Sequence, residues 1–440
     1  MPNKLCLINP RPKGLLDASE PHNLLALAVY AKKAGIEVKI IDEVAGDNVI
    51  QGVDAFKPDL VGFTALTVAY PRAVELLHLI KPKGYKTLIG GVHVSALPEK
   101  ALEDGFDMVV VGEGEKILVE IISQGSKKGI FVASADTILK SDEMIVSDRS
   151  FINEEFYVKS LDRASTAEGI RMATAITSRG CPFKCIFCHN SWRQIPLRFM
   201  SAELMLEDTA MLMDDYNIQY IIYNDDGFFI QRSRVLQFCE MLLKDKRRIS
   251  WSAVARPDSL DEEVLKTAAR AGCKRIALGF ESGSQRILDI LVKGSNVGQN
   301  LRVAELCHKY GIQVTGLIMI GNPTETQEDI RLTWEFIKKA RFDLLTVSIV
   351  RPFPGTKLWE WYEREGHIPK DIDFSDFFVT NVSFQPLSTF SPRQLKNMQR
   401  MFLTKAHLVN PTLRKRFFTQ LLRHPLHQGK IICDRLAWHR

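Results

Sequence analysis

The fold of the chain is decided around one short stretch, Thr177-Ser178-Arg179-Gly180-Cys181-Pro182-Phe183-Lys184-Cys185-Ile186-Phe187-Cys188. It directly follows a predicted strand and places three thiols at the spacing C-x3-C-x2-C. Three cysteines on one loop can ligate three irons of a cubane 4Fe-4S cluster, because such clusters are held by cysteine thiolates. The fourth iron is then open to the amino and carboxylate groups of a substrate, as open metal positions are in other enzymes.

Two alternatives to an iron–sulfur cluster stay open on the spacing alone. A zinc site would need four nitrogen or sulfur ligands, and His189 is the only nearby candidate for the fourth. The three thiols could also be inert. The other cysteines of the chain are scattered and are expected to be buried core thiols: Cys6, Cys239, Cys273, Cys307 and Cys433.

Alternating strands and helices surround the cysteine stretch. Apolar runs predict strands at 171–177, 220–223, 250–255, 275–278, 313–320 and 344–350, separated by helical stretches such as 201–213, 262–271 and 326–340. Six βα units fit an open, partial barrel rather than a closed barrel of eight. The cysteine stretch then lies at the mouth of that barrel.

The first 125 residues predict another α/β unit. Short apolar runs at 5–8, 37–41, 60–64, 86–89 and 108–111 alternate with helical segments such as 23–34 and 70–80. This alternation is typical of a parallel, doubly wound, Rossmann-like sheet, whose ligand crevice lies beyond the carboxyl ends of the strands. Small and polar loops follow those ends at 64–67, 90–95 and 112–115.

These patterns divide the 440 residues into four segments. We predict an α/β fold with a Rossmann-like domain at 1–125, a linker at 126–169, a partial (β/α)6 TIM-like barrel at 170–358 and a mostly helical, basic cap at 359–440. The aromatic side chains of the cap are expected to form a core rather than a substrate wall. Its last part, 404–440, carries eight Lys or Arg against one acid and could meet an acidic partner.

Composition excludes several classes of protein. Hydrophobic residues form 45% and charged residues 25%, as in a folded globular protein rather than a disordered one. The net charge of +6 is concentrated in the basic tail, so nucleic acid is not expected as a partner of the main body. We expect no transmembrane span and a cytoplasmic protein, because no run of about 18 apolar residues and no secretion-signal pattern occur.

The cysteine stretch at the mouth of a partial barrel resembles the radical S-adenosylmethionine superfamily. Further segments resemble, in order, the strand-end signatures of the branch with an N-terminal cobalamin-binding domain: Asn224-Asp225-Asp226, Trp251 with Arg256-Pro257-Asp258, Gly279-Phe280-Glu281-Ser282-Gly283, 320–326 and 352–356. The resemblance implies three cofactors, which are S-adenosylmethionine, cobalamin and a 4Fe-4S cluster held by Cys181, Cys185 and Cys188. It further implies that the reduced cluster cleaves S-adenosylmethionine to a 5′-deoxyadenosyl radical, which abstracts hydrogen from an unreactive carbon.

By the same resemblance, four residues are expected at S-adenosylmethionine. The Phe187 backbone would lie near adenine, and Arg256 and Glu281 would contact the methionyl or ribose part. Asp226 is the fourth, with a ribose or substrate role. The alternative for Arg256 and Glu281 is that they are structural ion partners only.

The N-terminal segments 58–64, 70–73, 90–98 and 111–115 resemble those of cobalamin-binding modules. The implied cobalamin contacts are Thr64, Gly90, Gly91, His93, Gly112 and Gly114, where the glycines would let backbone approach a large flat ring. The motif D-x-H-x-x-G, which supplies a histidine ligand in some cobalamin proteins, is absent. Binding without a protein histidine ligand and a vestigial domain that binds nothing are therefore both open. His93 itself is expected to be a hydrogen-bonding residue rather than a ligand.

The function implied by the resemblance is a cobalamin-dependent radical methyltransferase acting on an unactivated carbon. S-adenosylmethionine would supply both the radical and, through methylcobalamin, the methyl group. The substrate stays open between a small molecule and a peptide or protein side chain. An electron donor such as flavodoxin or ferredoxin is an implied partner.

Three other functions are weighed against the methyltransferase. A radical cyclase, rearranging or oxidising enzyme would use auxiliary cobalamin or none. A non-catalytic cofactor carrier is disfavoured by the complete cysteine motif. A tRNA methylthiotransferase is disfavoured because that class needs three N-terminal cysteines, and only Cys6 precedes Cys181.

Overall fold

A computed structural model describes residues 4–15, 18–125, 128–164, 169–189, 195–377 and 384–409. Only the helical backbone is described for residues 162–164 and 407–409. The predicted basic tail lies outside the described residues from position 410 onward.

Six parallel strands form the N-terminal sheet: β1 (Lys4–Asn9), β2 (Glu37–Asp42), β3 (Leu60–Thr64), β4 (Lys86–Gly90), β5 (Met108–Val111) and β6 (Gly129–Val132). Their spatial order is β2-β1-β3-β4-β5-β6. The connecting helices are α1 (His22–Lys33), α2 (Val49–Phe56), α3 (Tyr70–Ile80), α4 (Val92–Ala96), α5 (Pro98–Glu103) and α6 (Glu115–Gln124). The strand order reverses between β1 and β3, and doubly wound sheets bind their ligands at such a switch point.

The inner strand β1 is apolar at successive positions because helices cover both faces of this sheet. Cys6 and Ile8 point into the core on one face, where they pack with the side chains of β3 and α3. Leu5 and Leu7 point into the core on the other face, together with residues of α1 and α6. Side chains alternate along a strand, so a parallel sheet covered on both sides needs such a continuous apolar run.

Helix α7 (Glu154–Ala164) leads into the barrel, whose parallel strands are β7 (Met172–Ala175), β10 (Tyr220–Tyr223), β11 (Ser250–Ala255), β12 (Cys273–Glu281), β13 (Gln313–Ile320) and β14 (Leu344–Ile349). Each strand pairs with the next one along the chain, as in a TIM barrel that stops after six strands. Two short strands, β8 (Ser178–Arg179) and β9 (Arg198–Phe199), pair antiparallel between β7 and β10. The barrel helices are α8 (Ala202–Tyr216), α9 (Arg232–Lys244), α10 (Glu262–Arg270), α11 (Gln285–Ile290), α12 (Val297–Lys309) and α13 (Gln327–Ala340).

Two helices of the C-terminal segment are described, α14 (Lys357–Arg364) and α15 (Pro392–Val409). Helix α15 covers the outer strand β14: its Leu395 and Phe402 are buried in the barrel core, and Gln399 Nε2 donates to Val347 O at 2.7 Å. The aromatic side chains of this region form a core of their own around Tyr362, Phe377 and Phe384, as predicted. No described helix is long and apolar enough to cross a membrane.

The predicted fold class is confirmed, with two differences in detail. The segment predicted as a linker, 126–169, contributes strand β6 and helix α7, so part of it belongs to the N-terminal sheet. The first barrel strand ends at Ala175 instead of 177, because Ser178 and Arg179 pair with β9 and begin the cysteine loop. We define the cysteine loop as the described residues between β8 and β9, which are 180–189 and 195–197.

Candidate functional site

A cavity of about 830 Å³ lies between the two sheets, and we call it the inter-domain cavity. Its wall on one side is formed by the loops after β3, β4 and β5 of the N-terminal sheet. The other wall is formed by residues that follow β7 and β10 of the barrel, including Ile176, Asn224 and Asp226. The carboxyl ends of both sheets therefore open into the same space, as expected for ligand sites in folds of these two types.

The structure brings together five of the six residues expected at cobalamin. Thr64, Gly90, Gly91, Gly112 and Gly114 all line the inter-domain cavity. Thr64 Oγ1 accepts a hydrogen bond from Asn23 Nδ2 at 2.5 Å, so helix α1 also contributes to this wall.

His93 is not among the residues that line the cavity. Its ring is 1% exposed and lies between the rings of Tyr70 and Phe374, with centroid distances of 4.2 and 4.6 Å. Neither ring nitrogen has a hydrogen-bond partner among the described residues. Burial lowers the pKa of His93 to about 4, so the ring is neutral at physiological pH. The structure thus places His93 in the core that joins the N-terminal sheet to the C-terminal segment, without the hydrogen bond that was expected of it.

Two features of the cavity fit a large, flat, partly apolar cofactor such as cobalamin. Leu66, Val92 and Ile176 line the cavity and expose 61%, 42% and 36% of their surface, which is unusual for aliphatic side chains at the carboxyl ends of buried strands. The neighbouring glycines keep the backbone accessible between these side chains.

Gly91 has a second role, in the fold itself. Its φ is +109°, and a Cβ atom added there would lie 2.8 Å from the carbonyl oxygen of Ala65. Only glycine allows the β4–α4 turn to pass this close to the β3 loop.

The cysteine loop carries Cys181, Cys185 and Cys188 on a tight turn. Cys185 is 6% exposed, the other two are half-buried, and the Cys188 amide donates to Cys185 O at 3.1 Å. The turn begins at Gly180, whose φ is +82°; a Cβ there would lie 2.7 Å from Pro196 O. Gly180 and His189, which flank the three cysteines, both line the inter-domain cavity.

A guanidinium group lies beside the thiols. Arg256 Nη1 is 3.3 Å from Cys185 Sγ, and the guanidinium stacks 3.5 Å from the centre of the Phe183 ring. Burial raises the pKa of the Cys181 thiol, while the charge of Arg256 opposes this. Three thiols on one partly buried loop, next to a fixed cation, fit a negatively charged thiolate-ligated cluster.

The residues expected at S-adenosylmethionine occupy three places. Arg256 forms a two-point ion pair with Asp258 at 2.9 and 2.6 Å and also donates to the Lys293 carbonyl. Glu281 has a φ of +64° and pairs with Lys293 Nζ at 2.7 Å. Both side chains therefore have the ion partners that the alternative interpretation expected, and they meet at Lys293.

The other two residues lie apart from that pair. Phe187 packs half-buried in the aromatic core of the C-terminal segment, next to the turn that joins Ile186 N to Leu291 O at 3.1 Å. Asp226 lines the inter-domain cavity, where burial and then the charge of Asp225 raise its pKa to about 6. Asp226 thus shares a space with the residues expected at cobalamin. Asp225 is buried behind it and accepts hydrogen bonds from Thr177 and Ser178.

The charged residues that join the two domains were not among the predicted site residues. Glu113 and Glu115, which alternate with Gly112 and Gly114, pair with Arg179 and Arg198 of the barrel. The one available signal was their position: carboxylates inside a glycine-rich loop, and an arginine directly before the first glycine of the cysteine loop.

A second buried network ties the start of α1 to β7. Arg149 is 1% exposed and pairs with Glu20 at 3.1 Å and Glu154 at 2.8 Å. Glu20 in turn accepts hydrogen bonds from the Thr174 amide and hydroxyl, and His22 Nε2 lies 2.7 Å from that hydroxyl. Burial lowers the pKa of His22 to about 4.

The fold and the site together define a two-domain α/β protein whose Rossmann-like sheet and partial barrel enclose one cofactor-sized cavity. Comparison with known proteins gives the class of each part. Residues 18–122 match the B12 binding domain family, and residues 175–337 match the radical SAM superfamily.

Relatives that align over about three quarters of the chain or more support the same classes. The chain is 33% identical to an uncharacterised methyltransferase of Pyrococcus horikoshii over 74% of each chain. It is 26% identical to the anaerobic magnesium-protoporphyrin IX monomethyl ester cyclase of Rubrivivax gelatinosus, over 88% of this chain and 74% of the relative. The chain belongs to the radical S-adenosylmethionine superfamily, in the branch that carries an N-terminal B12-binding domain.

A solved structure shows the same fold. The radical S-adenosylmethionine methyltransferase TsrM of Kitasatospora setae, determined with cobalamin and a 4Fe-4S cluster bound, superposes with a TM-score of 0.71 at 18% identity, over 84% of this chain and 80% of that one. The chain is a radical S-adenosylmethionine enzyme, and its cofactors are those of the two matched domains: a 4Fe-4S cluster with S-adenosylmethionine, and cobalamin.

Proposed function

We propose that the protein is a cobalamin-dependent methyltransferase that methylates an unactivated carbon of its substrate. The observation that carries the proposal is the inter-domain cavity. Its N-terminal wall holds the five residues expected at cobalamin, and its barrel wall includes Gly180 and His189 at the two sides of the cysteines. A substrate between these walls would lie within reach of both cofactors.

The bound cofactors supply a radical for hydrogen abstraction and a transferable methyl group, and the protein supplies the arrangement. Cys181, Cys185 and Cys188 are proposed to hold the cluster, and Arg256 would offset its negative charge next to Cys185. The Phe187 backbone, Glu281 and Arg256 are the proposed contacts of S-adenosylmethionine. We propose that Asp226 instead faces the substrate or the corrin, because it lines the inter-domain cavity and the other three do not.

Thr64, Gly90, Gly91, Gly112 and Gly114 are proposed to contact cobalamin. Leu66 and Val92 would cover part of the corrin and exclude water from that side. His93 is not proposed as a cobalt ligand, because it is buried away from the cavity between Tyr70 and Phe374.

Anaerobic reconstitution with iron, sulfide and hydroxocobalamin tests the proposal. The reconstituted chain is then reduced in the presence of S-adenosylmethionine, and small products are identified by mass spectrometry. Methyl transfer predicts both 5′-deoxyadenosine and S-adenosylhomocysteine. The matched control replaces Cys181, Cys185 and Cys188 by Ala, which should abolish iron binding and both products; replacing the buried core thiol Cys239 by Ala should preserve both.

A cyclase is the second candidate, because a relative aligned over 88% of this chain has that activity. The same experiment separates the two functions. A cyclase would produce 5′-deoxyadenosine without S-adenosylhomocysteine, and that result would contradict the methyltransferase.

The remaining partners are also proposals. A low-potential protein such as flavodoxin or ferredoxin would deliver the electron that reduces the cluster, and the reaction would take place in the cytoplasm. The substrate is proposed to be a small molecule or a peptide side chain, since the cavity must hold it together with the cofactors.

A further inference from the structure

The two ends of the cysteine loop are held by one loop of the N-terminal domain. Strands β8 and β9 close the neck of the cysteine loop, with Arg179 directly opposite Arg198 in their register. Both arginines reach across the domain boundary to the β5–α6 loop, residues 112–115. Two like charges side by side are stable only with acidic partners, and Glu113 and Glu115 supply them.

The contacts are short and specific. Arg198 Nη1 donates to Glu113 Oε2 at 2.8 Å, and a second bond joins Arg198 Nη2 to the other oxygen of the same carboxylate. Arg179 Nη1 donates to Glu115 Oε1 at 2.5 Å and lies 3.6 Å from Glu113. Glu113 thus contacts the arginines at both ends of the cysteine loop. We call these four residues the loop clamp.

The loop clamp is largely buried, and its most exposed side chain, that of Arg179, is 23% exposed. The side chains of Glu115 and Arg198 are 5% and 7% exposed. Burial opposes the ionisation of Glu113, but the hydrogen bond from Arg198 and the charge of Arg179 outweigh it and hold its pKa below the usual value. Removing one partner of such a buried ionic group leaves an uncompensated charge, which is much more costly than losing a surface ion pair.

The two glutamates of the loop clamp alternate along the chain with glycines that are proposed to contact cobalamin. Gly112 and Gly114 line the inter-domain cavity, and Glu113 and Glu115 come directly after them. A shift of this four-residue loop would therefore move the cavity wall and the arginines together. On the other side, Gly180 packs against the carbonyl groups of Ile195 and Pro196, so the neck of the cysteine loop moves as one piece.

We propose that Glu113 and Glu115 are positioning residues that fix the cysteine loop to the wall of the inter-domain cavity. The N-terminal domain then sets where the cysteines lie. Binding of a ligand in the inter-domain cavity would restrict the motion of the cysteine loop through the loop clamp. The identity of the two bound groups, a cluster on the cysteine loop and cobalamin at Gly112 and Gly114, rests on the proposed function.

Hydrogen exchange of the full, iron-free chain tests the loop clamp without either cofactor. In the double variant E113Q/E115Q, amides of residues 179–189 should exchange at least about tenfold faster than in the wild type, because the neck is released from its anchor. The control is Asp261→Asn, which removes one bond of the exposed Arg232–Asp261 pair in the same barrel and should leave these amides unchanged. Unchanged exchange of residues 179–189 in E113Q/E115Q would overturn the proposal.

A double-mutant cycle separates a specific pair from a general loss of stability. E115Q and R179Q each remove one partner of the 2.5 Å bond, so their effects on exchange should not add in the double variant. Fully additive effects would show that the two residues act independently and would contradict the loop clamp. If E113Q/E115Q fails to fold, hydrogen exchange of the single variants E115Q and R179Q tests the proposal instead.

The communication between the two sites is tested by adding hydroxocobalamin to the iron-free chain. With both proteins saturated with the corrin, as a spectroscopic titration verifies, it should slow the exchange of residues 179–189 in the wild type and have no such effect in E113Q/E115Q; equal slowing in both would exclude the loop clamp as the route. Failure of the proposed function is detected separately, because it would appear in the wild type as an absence of reconstituted iron or of corrin binding.

Discussion

Two adjacent glycines, Gly90 and Gly91, line the cavity for different physical reasons. At Gly91 the positive φ and the nearby Ala65 carbonyl exclude any side chain. At Gly90 an added Cβ would have no atom closer than 3.8 Å, so the fold itself tolerates a Cβ there. A glycine required only by the fold and a glycine that leaves room for a ligand can thus be separated by substitution.

Gly91→Ala should lower the free energy of unfolding by at least about 1 kcal/mol, because a φ of this sign and the 2.8 Å contact both strain the turn. Gly90→Phe should change that free energy much less but should weaken hydroxocobalamin binding. Urea unfolding of the iron-free chain and a spectroscopic cobalamin titration measure the two effects. Wild-type affinity in Gly90→Phe would remove Gly90 from the set of cobalamin contacts.

The burial of His93 is expected to make the folded chain less stable in acid. Its pKa is about 4 in the folded chain and 6.5 when unperturbed, because burial disfavours the charged ring; Asp104 counteracts this weakly and Lys100 reinforces it. A histidine with a depressed pKa contributes stability that is complete above pH 6.5 and is lost as the pH falls toward 4. Between pH 7.5 and pH 5 we therefore expect His93 to lower the free energy of unfolding by about 2 kcal/mol.

The variant His93→Phe should lack this part of the acid sensitivity while still filling the space between Tyr70 and Phe374. The comparison is made by urea unfolding of the iron-free chain at both pH values. The buried carboxyl groups of Asp226 and Glu325 have raised pKa values, about 6 and about 7, and titrate in both proteins, so they cancel in the difference. His78→Phe, at an exposed position on α3, is the control and should keep the wild-type pH dependence. The same pH dependence in His93→Phe would contradict the assignment.

At the scale of elements, the Arg149 network joins the approach to α1, the turn before α7 and the strand β7. Besides its two ion pairs, Arg149 Nη2 donates to the Thr174 carbonyl at 2.5 Å. Arg149→Leu would leave Glu20 and Glu154 buried without their cation and should destabilise the chain by about 3–5 kcal/mol. Arg232→Leu, which breaks exposed pairs with Asp261 and Glu263, should cost no more than about 1 kcal/mol. Thermal unfolding of the two variants under the same conditions is the measurement, and equal effects would show that the buried network is not needed to hold these elements together.

Most elements were predictable because their apolar runs end at polar or glycine residues. The bounds of β10, β11 and β13 agree with the prediction, and so do those of α3. Strand β6 was missed because its four residues, Gly129–Val132, form a short, half-exposed edge strand whose apolar run is only three residues long. Strand β12 runs on to Glu281, three residues beyond its predicted end, with an irregularity in its pairing between Gly279 and Glu281.

The candidate site was predictable only in part, because only some of its residues stand in a recognisable local pattern. Glycines and cysteines show their role through local spacing, so the loops at 90–91, 112–114 and 181–188 could be found in the sequence. The partners of Glu113 could not, because Arg198 lies 85 residues away along the chain and the contact exists only after the domains pack. His93 was misplaced because a histidine in a crevice loop can point to either side of that loop, and the sequence does not say which.

At the scale of the whole molecule, the cavity belongs to neither domain alone. Ile176 of the barrel lines it opposite the N-terminal loops and is 36% exposed. Ile176→Trp would add volume to the barrel wall of the cavity and should weaken hydroxocobalamin binding by about tenfold or more, although the residue lies outside the cobalamin-binding domain. Iron content should stay at the wild-type level, since Ile176 lies outside the cysteine loop.

Leu79→Trp is the matched control for this last prediction. Leu79 is also an exposed aliphatic residue, at 53%, but it lies on α3 and does not line the cavity. Its replacement should leave hydroxocobalamin affinity unchanged in the same spectroscopic titration. If Ile176→Trp also binds with wild-type affinity, the N-terminal domain holds the corrin without help from the barrel. The barrel side of the cavity would then be left for the substrate.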